Sequence, residues 1–262
     1  MDKEKILERF TQESERQTAS IVLDRALKAD KTGESQITDF FDPYQQRIAD
    51  NVLHFFKGLK QISWGGYDGA ERARILLFPA VWQSSLTDVP LSFLQAQVSK
   101  QAQGLTHRDY LGSLLGLGLR REKVGDILVL PEGKAQVVVC PEIAGFILTN
   151  WREVGRYRVS VEEISAAELT PPPARVREIK TTVASLRLDA VASSGFGLSR
   201  SKLTPAIKAG HVKLNWQTVK SAAAAVKEGD IISVAGRGRV EVAEVRGFSK
   251  KGRIQLLLKK YT

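Results

Sequence analysis

The stretch Leu198–Leu214, LSRSKLTPAIKAGHVKL, joins a helix start, a basic face and a strand in one short run. Ser199 is suited to the N-cap. Leu203, Ala206 and Ile207 fall at i, i+3 and i+4, and Gly210 stands where the chain must leave the helix before a strand begins. Arg200, Thr204 and Lys208, four apart, line one flank beside that apolar stripe. Arg200 and Lys202 lie in the first turn, where a cation opposes the macrodipole at a cost of roughly 0.3–1 kcal/mol while free backbone N–H groups invite an anion. A bound phosphate reconciles the two; a solvated helix face that happens to be basic is the bland alternative. Pro205, inside the helix, removes one hydrogen bond.

Upstream, Ser185 can cap a helix LRLDAVASSG (Leu186–Gly195) with Leu188, Val191 and Ala192 inward and Arg187 beside them. Downstream, His211–Leu214 and Gln217–Val219 read as two short strands around Asn215 and Trp216. The order of RLD helix, SRSK helix, IKAGHV, Asn turn and KEGD resembles the S4 RNA-binding domain, and the likeness runs from Ala184 to about Val234. Trp216 stands where that family usually has glycine, which leaves the turn type open. In an S4 domain, Ser199, Arg200, Lys202, Thr204, Lys208, His211 and Lys213 would meet phosphates and 2′-hydroxyls of a shaped RNA, with Arg187, Asn215 and Lys220 at the edges.

The distribution of charge agrees. The 262-residue chain has a formal net charge of +10. Residues 1–95 hold 12 basic and 14 acidic side chains, residues 96–170 nine of each, and residues 171–262 hold 18 basic against 6 acidic. The whole excess lies in the C-terminal third, the footprint of a polyanion-binding domain joined to a neutral remainder. An anionic membrane fits less well, because the cations are not gathered on one amphipathic helix. No apolar run reaches membrane-spanning length, and MDKEKILERF is charged from its second residue, so neither a transmembrane helix nor a secretory signal is expected. Cys140, in the apolar run AQVVVC, reads as a core residue in a reducing compartment. With three scattered histidines there is no zinc-type cluster, and neither metal nor cofactor is expected.

Along the chain, residues 3–28 read as helix, followed by a polar loop Ala29–Gln36. Asp42 as N-cap and Pro43 at N1 open a second helix with Tyr44, Ile48, Val52 and Phe55 or Phe56 inward and Gly58 as its stop; His54 on it has no partner histidine. SWGGYDGAERAR (Ser63–Arg74) is glycine-rich but lacks the ending of a phosphate loop. It reads as a turn into a strand Arg74–Phe78, with Arg72 and Arg74 as further RNA contacts. A helical segment Leu91–Gln101 follows, then a helix from Thr106 with Asp109 completing a capping box, strands Asp126–Leu130 and Ala135–Cys140, a helix Pro141–Trp151 and a strand Arg156–Val161. This interleaving suggests an RNA-recognition-motif-like α/β sandwich, although its strands carry Ile, Leu and Val where base stacking needs Phe or Tyr. If that domain touches RNA it does so through Arg120, Arg121 and Lys123, for which a solvated loop is an equal reading. Pro171–Pro173 form a semi-rigid spacer. Arg239–Val245 and Gly252–Leu258 then alternate as a hairpin across GFSKKG, leaving Arg253, Lys259 and Lys260 exposed, with Arg253 an auxiliary RNA contact. The fold class is therefore α+β: a helical region 1–70, an α/β sandwich 71–165, a Pro-rich linker with lead-in strand 166–182, and an S4 domain with an added hairpin 183–262.

The succession TDFFDP, GGYDGAER, THRDYLGSLLGLGLRREKVGD and a C-terminal S4 domain resembles the YlmH family over nearly the whole chain. It is most similar to the cyanobacterial and plastid branch called the photosystem II S4 domain protein. The resemblance implies an RNA-binding middle domain, association with the large ribosomal subunit and a part in rescuing stalled nascent chains, in a cytoplasm or a plastid stroma. The leading reading is a monomeric, non-catalytic binder of structured RNA, ribosomal or transfer. One alternative is an RNA-modifying enzyme of pseudouridine synthase or methyltransferase type that uses S4 as a tether. Against it, the RLD triplet Arg187–Asp189 lies inside the S4 helix, so Asp189 reads as a helix-stabilising acid, and no glycine-rich cofactor loop follows a strand. The other alternative is an assembly adaptor linked to photosystem II biogenesis, with the helical N-terminal region as its protein contact.

Overall fold

The computed structural model describes residues 3–99, 104–171 and 176–261, and the chain divides after Pro172 into two units with separate cores. In the first unit α1 (Lys3–Leu7) leads into α2 (Glu13–Thr32). This helix runs four residues into the expected loop because Ala29 is buried, and Gly33, left-handed at φ 70°, closes it with its N–H on the Ala29 carbonyl at 2.9 Å. After β1 (Gln36–Ile37) comes α3 (Pro43–Leu53). There Asp42 Oδ1 accepts the Gln45 N–H at 2.9 Å and Gln45 Oε1 accepts the Asp42 N–H at 3.0 Å, so both ends of the capping box are made. With β2 (Leu59–Trp64) and β3 (Arg74–Pro79) the first strand forms an antiparallel sheet in the order β1-β3-β2. Val22, Leu23, Ile48 and Val52 of the helices pack on Ile75 and Leu77 of that sheet. Strand β3 therefore belongs with the helical layer and not with the sandwich that follows.

The segment read as a helix from Leu91 is a strand, β4 (Ser92–Val98); Gln101, its expected end, lies outside the described residues. Leu94, Ala96 and Val98 are buried and Gln95 and Gln97 are not, which is a period of two. Then follow α4 (His107–Gly116), β5 (Val124–Leu130), β6 (Lys134–Val139), α5 (Pro141–Asn150), β7 (Glu153–Val154) and β8 (Tyr157–Ile164). The antiparallel sheet runs β5-β6-β4-β8-β7, so β4-α4-β5-β6-α5-β8 has the split βαβ order of an RNA recognition motif. Tyr110, Leu114 and Ile147 of the two helices, with Trp151 just after α5, fill one face against Leu94, Val137 and Val139. Fully burying each such side chain contributes about 1.5–3 kcal/mol.

The opposite face is closed. Phe40 packs against Val138 and Cys140, and Gly66 lies so near Phe93 that a Cβ would sit 2.6 Å from its ring. Gln136, 2% exposed, donates to the Glu168 carbonyl at 2.9 Å and accepts from the Thr170 N–H at 2.7 Å, which draws residues 168–170 over the sheet.

In the second unit the first described element is β9 (Val176–Val183); Pro172–Arg175, and with them two of the three prolines of the expected spacer, lie outside the described residues. Next come α6 (Leu188–Phe196), α7 (Arg200–Lys208), β10 (Val212–Leu214), β11 (Gln217–Thr218), β12 (Ile231–Val234), β13 (Gly238–Phe248) and β14 (Ile254–Tyr261). The sheet order is β11-β10-β12-β13-β14-β9. Leu188, Val191, Leu203 and Ile207 pack on Val212, Ile232, Val240 and Leu258. Gly195 brings α6 close to the sheet: a Cβ there would stand 2.8 Å from a Val240 methyl.

Candidate nucleic-acid interface

Helix α6 starts two residues later than a Ser185 cap implies, with Arg187 at the N-cap. Its first N–H groups are satisfied by backbone instead: Leu188 donates to the Ala224 carbonyl at 2.9 Å and Asp189 to the Ala222 carbonyl at 3.1 Å. The SAAAAV loop thus caps the helix, a long-range contact that no local pattern announces. Arg187 forms a two-pronged ion pair with Asp189. Burial works against the Asp189 charge, but Arg187, with Arg200 behind it, outweighs burial and holds the carboxyl below the usual carboxylate range.

Ser199 occupies the N-cap of α7 with extended backbone, as expected, yet its side chain bonds the Ser201 hydroxyl at 2.9 Å and caps nothing. The first turn of α7 therefore keeps backbone donors unfilled by any side chain, with Arg200 and Lys202 exposed beside them. Thr204 lies on the expected flank, but its hydroxyl donates to the Arg200 carbonyl at 2.9 Å, so it supports the helix rather than the surface. Lys208 closes the flank in the last turn, where a cation suits the dipole. Helix α7 continues through Pro205, and Gly210, at φ 78°, lets His211 N–H reach the Ala206 carbonyl at 2.9 Å.

The remaining residues separate. Val212 is buried under the helices, so His211 and Lys213, exposed, take the other face of β10, which lies between β11 and β12, by alternation. Lys220 is exposed beyond β11. Arg200, Lys202, Lys208, Lys213 and Lys220 have no acidic ion-pair partner among the described residues. Asn215 proves to be a structural residue: its Nδ2 donates to Asp230 Oδ1 at 2.9 Å and its Oδ1 accepts the Ile231 N–H at 3.0 Å. Buried Asp230 also accepts the Lys227 N–H at 2.9 Å, so the Asn turn and the KEGD run form one device. Asp230 is the residue the sequence reading missed, although KEGD was its signal. Trp216 does adopt positive φ, 66° after 50° at Asn215, which is the left-handed pair of a type I′ hairpin turn.

The auxiliary cations are engaged internally. Arg120 pairs with Glu122, and Arg121 donates to the Val124 and Gly125 carbonyls, burial pushing its pKa down to about 10. Lys123 Nζ sits between Asp39 at 2.7 Å and Glu142 at 2.8 Å. Arg72 donates to the Phe40 and Val124 carbonyls, and Arg74, 3% exposed, to those of Thr38 and Pro90. These arginines tie parts of the first unit together. The reading of Arg74 as an RNA contact is corrected, because its guanidinium is buried among carbonyls, while the half-buried Arg72 has its guanidinium engaged by the Phe40 and Val124 carbonyls. Arg253 in the second unit is likewise anchored, to the Thr182 hydroxyl at 3.1 Å and carbonyl at 2.8 Å. Asp39, Cys140 and Glu142 bring potential ligand atoms within 4.8 Å of one another, but the Lys123 ammonium already bridges the two carboxylates, and burial pushes the Cys140 thiol up to about 12. That donor set does not suit a metal ion.

A helix pair on an antiparallel sheet, with unpaired cations along the second helix, defines a protein built on an S4 RNA-binding module. Family models agree: residues 186–232 match the S4 domain, residues 14–80 the YlmH N-terminal domain, and residues 85–168 the family described as "Putative RNA-binding domain in YlmH". The chain is 36% identical over 236 residues to ribosome-associated protein quality control protein P2 of Bacillus subtilis (strain 168), covering 87% of this chain and 90% of that protein. It is also similar to the solved structure of cell division protein ylmH from Streptococcus pneumoniae, at 26% identity and a TM-score of 0.52, covering 61% of this chain and 96% of that one. The chain belongs to the YlmH family.

Proposed function

We propose that this protein is a non-catalytic binder of structured RNA, ribosomal or transfer, which works on the ribosome in the rescue of stalled nascent chains. The observation that carries the reading is the set of exposed cations without acidic partners on and around α7, Arg200, Lys202, Lys208, Lys213 and Lys220, in the unit that holds all of the chain's excess charge. The Bacillus relative is named for ribosome-associated quality control, which supports the ribosomal setting. Arg187 belongs to the same surface as a residue positioned by Asp189. That carboxylate is bound on both oxygens and buried, which speaks against its use as a nucleophile. The closed face of the middle sheet gives bases no platform, so the second unit carries the affinity. The motif order favours the cyanobacterial and plastid branch of the family, and with it a cytoplasmic or stromal monomer. No helix among the described residues is long and apolar enough to cross a membrane.

The test is filter binding of fragments 1–172 and 173–262 to ribosomal RNA across a salt series. The second fragment binds with a steep slope, roughly 0.7–0.9 in log K per phosphate neutralised, and the first binds poorly. Equal affinities would overturn the assignment.

A further inference from the structure

The β13–β14 hairpin ends in Arg246–Arg253, RGFSKKGR, a tip with four cations and no acid. Within it Phe248 is 74% exposed, although its ladder partner Ile254 packs against the core of the unit. Such exposure leaves a phenyl ring in water with no apolar neighbour to cover it. The register between β13 and β14 shifts between Val245 and Phe248, so the strand is bulged just where the ring emerges. Two glycines at positive φ, Gly247 at 84° and Gly252 at 71°, flank the turn.

The tip is nonetheless held firmly. Ser249 N–H donates to the Arg253 carbonyl at 2.7 Å, Gly252 N–H to the Ser249 carbonyl at 2.9 Å, and Arg253 N–H to the Ser249 hydroxyl at 3.1 Å. Gln255 Nε2 donates to the Phe248 carbonyl at 3.2 Å, and the Arg253 guanidinium fastens the turn to Thr182 of β9. Lys250 and Lys251 are exposed and unpaired among the described residues, while Arg246 is partnered by Glu244 at 2.6 Å. An exposed aromatic ring on a turn whose backbone is held by hydrogen bonds, beside free cations, is the arrangement that stacks a nucleic-acid base while neighbouring charges hold its backbone. An apolar protein surface would leave Lys250 and Lys251 desolvated and unanswered. RNA satisfies both demands at once.

We propose that Phe248 stacks on an unpaired base of RNA, with Lys250 and Lys251 on the adjoining phosphates, as a second contact separate from α7. This rests on the reading of the chain as an RNA binder. It adds that the RNA offers a loop or bulge within reach of the hairpin.

Two probes of equal phosphate number test it with the full chain at fixed salt: a stem with an unpaired adenine loop carrying 2-aminopurine, and a fully paired duplex. The wild-type protein binds the loop RNA more tightly and changes the 2-aminopurine fluorescence. Phe248→Ala weakens loop binding about tenfold, the loss of one base–aromatic stack, abolishes the fluorescence change and leaves duplex binding and melting temperature unaltered. Phe248→Tyr restores both the loop binding and the fluorescence change. Equal losses on both RNAs would overturn the stacking role. Full retention of loop binding by Phe248→Ala would do so too and assign the tip to a protein contact. Failure of the wild-type chain to bind either RNA would instead overturn the RNA-binding reading, and the stacking role with it.

Discussion

Arg187 and Asp189 meet in two bonds, Nε to Oδ1 at 3.1 Å and Nη2 to Oδ2 at 3.3 Å, across the first turn of α6. The pair fixes a cation at the edge of the α7 surface, and its carboxyl titrates below the usual range because Arg187 outweighs the opposing effect of burial. A carboxyl lowered in the folded state adds stability above the ordinary value near 4, and that stability is lost as pH falls through the folded value. Asp189→Asn should therefore melt below the wild type at pH 7, with the gap closing as pH falls below about 4. Thermal melts across that range decide it. A gap independent of pH would show that the ion pair carries no weight.

The turn that joins β10 to β11 makes a separate prediction. Trp216 holds φ at 66° in a region costing a residue with a Cβ about 1–2 kcal/mol, and it does not belong to the core cluster of its unit. Glycine removes that cost but gives back about 0.5–1 kcal/mol in unfolded-chain entropy. Trp216→Gly should thus stabilise the unit by about 0.5–1 kcal/mol, read as a higher urea midpoint with an unchanged slope. A lower midpoint would mean that contacts of the indole outweigh the backbone strain.

How far the sequence carried these conclusions depends on the range of the interactions. Helices α3 and α4 were legible because their capping boxes, Asp42 with Gln45 and Thr106 with Asp109, act within one turn, and α7 because Leu203 and Ile207 repeat at helical spacing before Gly210. Strand β4 was misread as a helix: SFLQAQV mixes good helix formers with an alternation that only neighbours β6 and β8 turn into strand. The α7 cations were legible as exposed because nothing local could neutralise them. Arg72, Arg74 and Lys123 were not, since their partners Phe40, Thr38, Pro90 and Asp39 lie far off in sequence. Asn215 and Asp230 were each noticed, yet only the folded hairpin shows that one holds the other.

Cys140 offers a chemical check on the first unit. Burial pushes its thiol up to about 12, so at pH 8 the thiolate is only about one part in ten thousand, and the sulfur is also covered by its neighbours. Iodoacetamide should leave native protein unmodified over an hour at pH 8 and label it completely in urea, as followed by intact mass. Added zinc should not raise the melting temperature, because Lys123 bridges Asp39 and Glu142. Rapid native labelling, or a zinc-dependent shift, would contradict the packing described.

The decisive comparison lies within the second unit, between a helix start and a charge-matched control. Arg200 and Lys202 oppose the dipole of α7, whose first turn no side chain caps, so replacing both with Glu puts acids where the helix favours them. The unit should stay folded and melt slightly higher. RNA affinity should nevertheless fall about a hundredfold, the loss of two charge-assisted phosphate contacts of roughly 1.5 kcal/mol each. Lys227 and Arg237, exposed in loops of the same unit, supply the control. Reversing both changes net charge by the same amount but should weaken binding far less. Both double variants are compared by melting temperature and by affinity for ribosomal RNA at one salt concentration. Equal losses would show that only overall charge matters, and that the start of α7 has no special role.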